Sequence, residues 1–136
     1  MIQDAWPRPL PDAETEGYWN AISAGHLAIC RCLRCRTFVH PPLERCRMCA
    51  GPVEFTEVSG AGTLYSWITV NRQSVPGPAV PYQVGIVELD VQPGVRLAGI
   101  ICDEGHHPLE MGMVVDVEVR RVPGGSLVAP AIVPRS

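Results

Sequence analysis

Twenty consecutive residues, CRCLRCRTFVHPPLERCRMC (30–49), contain five of the six cysteines of this 136-residue chain. Within them, the Cys-x2-Cys pairs Cys32/Cys35 and Cys46/Cys49 are separated by ten residues. Each pair can fold into a tight knuckle that directs two sulfurs to one point, and two knuckles supply the four thiolates that suit tetrahedral zinc. Because four thiolates leave no open position for water or substrate, the spacing predicts a structural rather than a catalytic metal.

The same spacing leaves two other interpretations of the thiols open. A rubredoxin-type iron site has the same four-sulfur geometry and stays the alternative to zinc. Disulfide pairing is disfavoured, because the N-terminal residues lack the basic start and apolar stretch of a signal peptide. We therefore expect a cytoplasmic protein with reduced thiols. No apolar run is long enough to cross a bilayer, so no membrane partner is expected.

Three other side chains of ligand type require an interpretation. Cys30 precedes the first predicted ligand by two residues, and we expect it beside the site on the same strand, with exchange into the ligand set as the alternative. Cys102 is expected to be a small buried hydrophobe. His40 could replace a ligand, but the four cysteines already complete the set.

The distribution of charge disfavours a nucleic-acid partner. The net charge is −3, and all eleven basic residues are arginine. Five arginines lie in the cysteine segment, where they can offset the negative charge of a four-thiolate zinc site: Arg31, Arg34, Arg36, Arg45 and Arg47. Residues 53–136 carry nine acidic residues against five arginines, whereas binding to a phosphate backbone needs a basic face.

A ribbon of about 25 residues cannot bury a core of its own, so other elements must support it. The proline-rich residues 1–11 are predicted to form an extended, poorly structured arm. Asp12 is predicted to cap a helix that runs to about Ala24. The helix carries an apolar stripe of Tyr18, Trp19 and Ile22. We expect this stripe to dock on its own domain, with binding to a partner as the alternative.

After the ribbon, short runs rich in Val, Ile and Tyr are separated by Gly and Pro. Five strands are predicted, at 62–70, 82–91, 95–102, 114–122 and 127–133. Their number favours a five-stranded Greek-key barrel, the OB-fold, with a small sandwich as the alternative. No internal repeat is apparent. The predicted fold is mainly β: an N-terminal arm and helix (1–25), a rubredoxin-like zinc ribbon (26–52) and an OB-fold barrel (53–136).

Several segments in this order carry a resemblance to a known family. They are YWNAISAGHL (18–27), the Pro41-Pro42 pair between the knuckles, EVSGAGTLYSW (57–67), PYQVGIVELD (81–90) and LEMGMVVDVEV (109–119). The series resembles the standalone zinc-ribbon/OB-fold proteins that are associated with acyl-CoA enzymes and were long classified as a domain of unknown function. The resemblance covers roughly residues 12–133.

The resemblance implies a non-catalytic accessory subunit that binds and completes a thiolase-superfamily enzyme acting on acyl-CoA. The partner would be a thiolase, an acyltransferase or a steroid side-chain retro-aldolase. We expect two copies on each partner dimer, because a two-fold symmetric surface recruits twice. Arg72 matches a basic position common in the family and is the candidate contact for a CoA phosphate, since arginine offers paired donors. The alternative is a surface arginine in a solvated loop.

Two features depart from the family pattern: Cys30 stands where a polar residue is more usual, and the residues that follow the knuckles differ. A glycine commonly follows the second cysteine of each knuckle, where it accepts a positive φ. Here those places hold Arg36 and Ala50, and Gly51 comes one residue late. The departure puts the geometry of the knuckles in question but leaves the ligand set complete.

Two other functions compete with the accessory role. A single-stranded nucleic-acid-binding OB-fold module would need a basic groove with stacking aromatic side chains. A stand-alone acyl-CoA hydratase or thioesterase would need an assembled acid, base or nucleophile. The pair His106-His107 is expected in an exposed loop, with no Cys, Ser or Asp arranged beside it, so no catalytic residue is predicted.

Overall fold

A computed structural model describes residues 6–73, 79–103 and 105–135. This part of the chain forms one α-helix and seven β-strands. They are α1 (Glu16–Ser23), β1 (Ala28–Cys32), β2 (Val53–Glu57), β3 (Ala61–Val70), β4 (Tyr82–Leu89), β5 (Arg96–Ile101), β6 (Val114–Arg121) and β7 (Val128–Pro134).

Strands β3 to β7 form a closed barrel in the order β3-β4-β5-β7-β6. Neighbouring strands are antiparallel except β5 and β7, which are parallel. This Greek-key order is that of the OB-fold, so the predicted fold class is confirmed and the sandwich alternative is wrong. Each predicted barrel strand agrees with an observed strand to within two residues at either end.

Alternation of apolar and polar residues explains how the barrel closes. In β6, Val115 and Val117 are buried inside, while Asp116 and Glu118 face outward. Outside the barrel, Arg135 donates two hydrogen bonds to the Asp116 carboxylate, and these bonds hold the pKa of Asp116 below its ordinary value. The alternation therefore fixes the register, because a shift by one residue would expose both valines.

The helix begins three residues later than predicted, because Asp12 caps a turn that precedes it. The Asp12 carboxylate accepts hydrogen bonds from the backbone N–H groups of Glu14 and Thr15 at 3.0 and 2.9 Å. In return, the Thr15 hydroxyl accepts the N–H of Asp12 at 3.0 Å. This reciprocal pair is a capping box, and α1 itself starts at Glu16.

The apolar stripe of α1 docks on its own domain, as expected. Tyr18 and Ile22 are buried in the main core, and Trp19 packs against them. The arm, predicted to be poorly structured, is anchored on the barrel within the described residues: the Trp6 indole N–H donates to the Pro123 carbonyl at 3.1 Å. Residues 1–5 of the arm lie outside the described part of the chain.

Strands β1 and β2 pair as a two-stranded antiparallel sheet, with Cys30 opposite Phe55. Residues 53–57 therefore pair with the ribbon, although they follow the predicted boundary at residue 52. The divisions after residues 25 and 52 remain predictions.

One hydrophobic core joins the helix, the ribbon and the barrel. Its buried members are Tyr18, Ile22, Leu27, Ile29, Phe38, Leu64, Val87, Leu89, Val95, Leu97, Val115, Val117 and Ile132. Of these, Leu27, Ile29 and Phe38 come from the ribbon segment. The ribbon thus contributes side chains to the same core as the barrel strands, and its position is fixed by apolar burial.

A polar contact fixes the same junction. The Gln92 side chain, in the turn between β4 and β5, accepts the backbone N–H of Phe38 at 2.8 Å and donates to the Phe38 carbonyl at 3.0 Å. Phe38 is buried, so Gln92 satisfies main-chain groups that would otherwise lie in a poorly solvated junction.

Replacing Gln92 with Ala should lower the free energy of unfolding by about 1–3 kcal/mol, because both main-chain groups of Phe38 lose their partner. Urea denaturation measures the change. Gln83→Ala is the matched control, since Gln83 donates one exposed hydrogen bond to Thr69 and its loss should change stability by less than about 0.5 kcal/mol. Equal losses in the two variants would contradict the proposed role of Gln92.

Candidate metal centre and barrel cleft

The fold brings the sulfurs of Cys32, Cys35, Cys46 and Cys49 together, all within 4.8 Å of one another. Two of the separations are 3.5 Å, between Cys32 and Cys49, and 3.6 Å, between Cys35 and Cys46. Tetrahedral zinc with bonds of about 2.3 Å requires sulfur–sulfur separations of about 3.8 Å. The donor set therefore fits a tetrahedral metal with changes of no more than about 1 Å in the sulfur–sulfur separations.

Backbone N–H groups within each knuckle point at the sulfurs. Cys32 Sγ accepts from Cys35 and Arg34 at 3.4 and 3.3 Å, and Cys46 Sγ accepts from Met48 at 3.3 Å. The N–H of Cys35, followed by that of Arg34, lowers the pKa of the Cys32 thiol. Because the thiolate is the form that binds metal, these bonds favour ligation.

The pKa shifts of Cys35 and Cys49 have opposite signs. Hydrogen bonds from the hydroxyl and the N–H of Thr37 lower the pKa of Cys35 to about 6. At Cys49, the N–H of Gly51 lowers the pKa, but the other three sulfurs and burial outweigh it and raise the pKa to about 11. Gathering four thiolates is thus opposed by mutual repulsion, which a divalent cation removes.

The knuckles keep their geometry without the expected glycines. Arg36 and Ala50, which follow the second cysteine of each knuckle, adopt left-handed backbone angles with φ of 67° and 59°. Left-handed backbone costs a residue with a Cβ about 1–2 kcal/mol. Gly51 serves a different purpose: a Cβ there would lie 3.0 Å from Cys32 Sγ and 3.2 Å from Cys49 Sγ. Glycine at this position lets the backbone approach the two sulfurs closely.

Two arginines support the left-handed residues in the same way. Arg31 Nε donates to the carbonyl of Arg36 at 2.8 Å, and an Arg45 guanidinium nitrogen donates to the carbonyl of Ala50 at 3.2 Å. Each arginine directly precedes the first cysteine of its knuckle. The segments RCLRCR (31–36) and RCRMCA (45–50) therefore have the same local structure, and the Arg-Cys-x2-Cys spacing that they share is the signal in the sequence.

The remaining ligand-type residues of the ribbon lie outside the four-sulfur group. Cys30 is fully buried beside it, with its sulfur 3.9 Å from the carbonyl of Leu43, and burial raises the pKa of its thiol. The ring of His40 packs against Tyr18, 5.6 Å between centroids, and burial lowers its pKa. Cys102 is half-buried at the end of β5 rather than fully buried as expected.

The loop after β5 contains an arrangement that sequence analysis missed. His107 Nδ1 lies 2.8 Å from a carboxylate oxygen of Asp103, and the His107 backbone N–H donates to the same carboxylate. The expectation that no Asp lies beside this histidine pair is therefore wrong for His107. Burial raises the pKa of Asp103, but the bonds to His107 outweigh it and hold the pKa below its ordinary value. The four-residue spacing alone gave no signal, because the loop has no regular structure.

This pair lies at a cleft on the barrel. The cleft is bordered by β3, β4 and β5, the β6–β7 turn and the N-terminal arm; among its lining side chains are Trp6, Trp67, Tyr82, Ile100 and Leu109. The location is the usual ligand face of an OB-fold. Trp67 and Tyr82 could stack on bases, but no arginine lines the cleft within the described residues, which disfavours a nucleic-acid strand.

Arg72, the candidate contact for a CoA phosphate, is exposed at the start of the β3–β4 loop. It is not among the described residues that line the cleft. Residues 74–78 of that loop lie outside the described part of the chain. Within the described residues, none of the helical structure is long and apolar enough to cross a bilayer.

Two family models match the chain. The model of the rubredoxin-like zinc ribbon domain of ChsH2 matches residues 19–55. The model of the C-terminal OB-fold domain of ChsH2 matches residues 55–120. The two models meet at β2, where the ribbon sheet ends.

Three curated relatives have similar sequences. The DUF35 domain-containing scaffold protein of Methanocaldococcus jannaschii is 32% identical over 108 residues, which are 76% of this chain and 75% of the relative. The 3-oxo-4,17-pregnadiene-20-carboxyl-CoA hydratase alpha subunit of Mycobacterium tuberculosis is 31% identical over 93% of this chain. The probable enoyl-CoA hydratase alpha subunit of Thermomonospora curvata is 32% identical over 80% of this chain. The chain spans only 40% and 34% of the length of these two hydratase subunits.

Similar solved structures include the following two. A chain of the Ltp2-ChsH2(DUF35) aldolase superposes with a TM-score of 0.81 at 29% identity, covering 93% of this chain and 98% of that one. A protein of the DUF35 family from Sulfolobus solfataricus superposes with a TM-score of 0.56 at 14% identity, covering 88% and 84%. At that identity, the second structure supports the fold alone.

The strained knuckle gives a direct prediction. Replacing Ala50 with Gly should raise the free energy of unfolding by about 1 kcal/mol, because glycine adopts the left-handed angle without strain. Thermal denaturation measures the change. Ala24→Gly is the control, since Ala24 has a right-handed φ of −86° and should gain nothing. The prediction would be contradicted by a loss of stability at Ala50 equal to that at Ala24.

Proposed function

The chain belongs to the DUF35 family, in which a rubredoxin-like zinc ribbon precedes an OB-fold, and from this membership we propose that it is an accessory subunit of an acyl-CoA enzyme. The observation that carries the proposal is the structural similarity to a chain of the Ltp2-ChsH2(DUF35) aldolase, which covers 98% of that chain. The relative from Methanocaldococcus jannaschii is itself named a scaffold protein. The first name joins two proteins in one aldolase, and the second names a scaffold.

The finer proposal is that the partner is a thiolase-superfamily enzyme: a thiolase, an acyltransferase or a steroid side-chain retro-aldolase. The partner would carry the catalytic groups, and this chain would complete it. Two copies would bind each partner dimer, since a two-fold axis duplicates any surface. The aldolase named in the similar structure supports this class of partner.

Hydratase activity of the chain itself is the competing hypothesis, because two relatives are named hydratase alpha subunits. Their hydratase residues need not lie in the matched part, which is 40% and 34% of their length. A four-thiolate site is closed to substrate, so the ribbon supplies no catalytic metal. These arguments favour a partner as the source of activity.

We also propose that Cys32, Cys35, Cys46 and Cys49 hold one structural zinc. The support is the fit of the four sulfurs to tetrahedral geometry and the match of the ribbon to the zinc ribbon model. Because Leu27, Ile29 and Phe38 share the core of the barrel, the metal would stabilise the barrel as well as the ribbon.

Arg72 is proposed to contact a phosphate of the CoA that the partner binds. The support is its exposure on a loop beside the OB-fold ligand face and the capacity of a guanidinium to bind phosphate oxygens in pairs. Its location on a loop allows the contact to form when the partner docks.

Metal analysis tests the zinc proposal. Purified protein should contain about one zinc per chain, and Cys46→Ser should lower both the zinc content and the melting temperature of the barrel strands, followed by circular dichroism. Cys102→Ser is the control, because Cys102 lies outside the four-sulfur group, and it should keep the metal. Protein that contains iron in place of zinc, or that contains neither metal and has its thiols oxidised in pairs, would disprove the assignment.

Co-expression with a thiolase-superfamily enzyme encoded beside this chain tests the accessory role. The two proteins should elute together, and neither should be fully active alone on acyl-CoA. Arg72→Ala should raise the KM for the CoA substrate about tenfold, the loss expected for one charge-assisted bond, with the complex intact. Arg96→Ala removes the same charge from a surface pair with Glu88 and should leave KM unchanged. Separate elution with a fully active partner would refute the proposal.

A further inference from the structure

The Asp103–His107 pair fixes the chemical character of one end of the barrel cleft. An ionised carboxylate can only accept hydrogen bonds, so in the neutral imidazole the proton lies on Nδ1, 2.8 Å from Asp103. Nε2 then carries a lone pair and acts as an acceptor. His107 lines the cleft with 39% of its side chain exposed.

The loop is shaped around this imidazole. Asp103 also accepts the backbone N–H of Gly105 at 3.1 Å, and a Cβ on Gly105 would lie 2.6 Å from His107 Cε1. His106, which lies between Gly105 and His107 in the sequence, has a left-handed φ of 52°. Strained or glycine-dependent backbone beside a polar pair is typical of sites that hold a side chain in a set position.

The walls of the cleft are of a different character. Trp67 and Tyr82 contribute aromatic surface, and Ile100, Ile101 and Leu109 contribute aliphatic surface. An apolar concave surface with a few positioned polar groups is the usual composition of a small-molecule site. Its single carboxylate among the described residues is Asp103, already paired with His107, and this negative charge disfavours an anionic ligand.

We propose that the cleft binds an uncharged apolar molecule, or the apolar end of a larger one, that carries a hydroxyl group. The hydroxyl donates its hydrogen bond to His107 Nε2, and the aromatic and aliphatic walls bury the rest. Asp103 is a positioning residue, because it holds the imidazole in the acceptor tautomer. This site is distinct from the four-sulfur cluster and from Arg72, and it does not depend on the accessory role.

Two matched probes test the site on the full chain. 2-Naphthol is apolar and has a hydroxyl donor, whereas 2-methoxynaphthalene has the same ring system and no donor. Calorimetric titration should give an affinity about five- to tenfold higher for 2-naphthol, the effect of one net hydrogen bond. The ¹⁵N resonance of His107 Nε2 should shift on binding 2-naphthol and not on binding 2-methoxynaphthalene.

Substitutions distinguish the contribution of the hydrogen-bond acceptor to binding from that of the apolar walls. His107→Phe keeps a ring but removes the acceptor, so the two probes should bind with equal affinity. Asp103→Asn should reduce the preference and change the tautomer ratio seen by ¹⁵N shifts. His26→Phe is the control, because His26 pairs with Glu57 at the surface and does not line the cleft; it should keep the full preference.

Each other outcome overturns the proposal. Equal affinities for the two probes in the unsubstituted protein would remove the role of His107 as acceptor. If His107→Phe still prefers 2-naphthol over 2-methoxynaphthalene, a group other than His107 accepts the hydrogen bond. Absence of binding by either probe would show that the cleft is not an apolar ligand site. The ¹⁵N measurement on unsubstituted protein keeps the test valid if a variant fails to fold.

Discussion

Burial of ribbon side chains against the barrel is the interaction on which the rest of the structure depends. Leu27, Ile29 and Phe38 come from a segment too short to form a core alone, and they lie among the barrel residues. The helix adds Tyr18 and Ile22 to the same cluster. Because each part completes the core of another, we expect a ligand bound at the ribbon to stabilise the helix and the barrel as well.

The ribbon accommodates backbone strain beside its four-cysteine site. Arg36 and Ala50 adopt left-handed angles that glycine would adopt freely, and Arg31 and Arg45 bond to their carbonyls. The arginines therefore have a structural role besides offsetting charge. Their two-fold use in successive knuckles explains how the chain keeps the geometry of a zinc ribbon without the usual glycines.

The molecule has two sites of different chemistry, one in the ribbon and one on the barrel. The four-sulfur cluster is closed and suits a structural role, whereas the cleft beside Asp103 and His107 is open and combines apolar walls with one positioned acceptor. The absence of a nearby arginine among the described lining residues separates this cleft from the phosphate-binding faces of nucleic-acid OB-folds.

The sequence by itself determined the features that local patterns encode. The Cys-x2-Cys spacing identified the four clustered sulfurs, and the alternation in segments such as Val115 to Val119 located the barrel strands to within two residues, because both depend on neighbours a few positions apart. Only the tertiary structure decided the rest. The shared core, the contact of Gln92 with Phe38 and the anchoring of Trp6 on Pro123 join residues distant in sequence. The Asp103–His107 pair was also missed, although close in sequence, because an irregular loop has no period from which side-chain directions can be inferred.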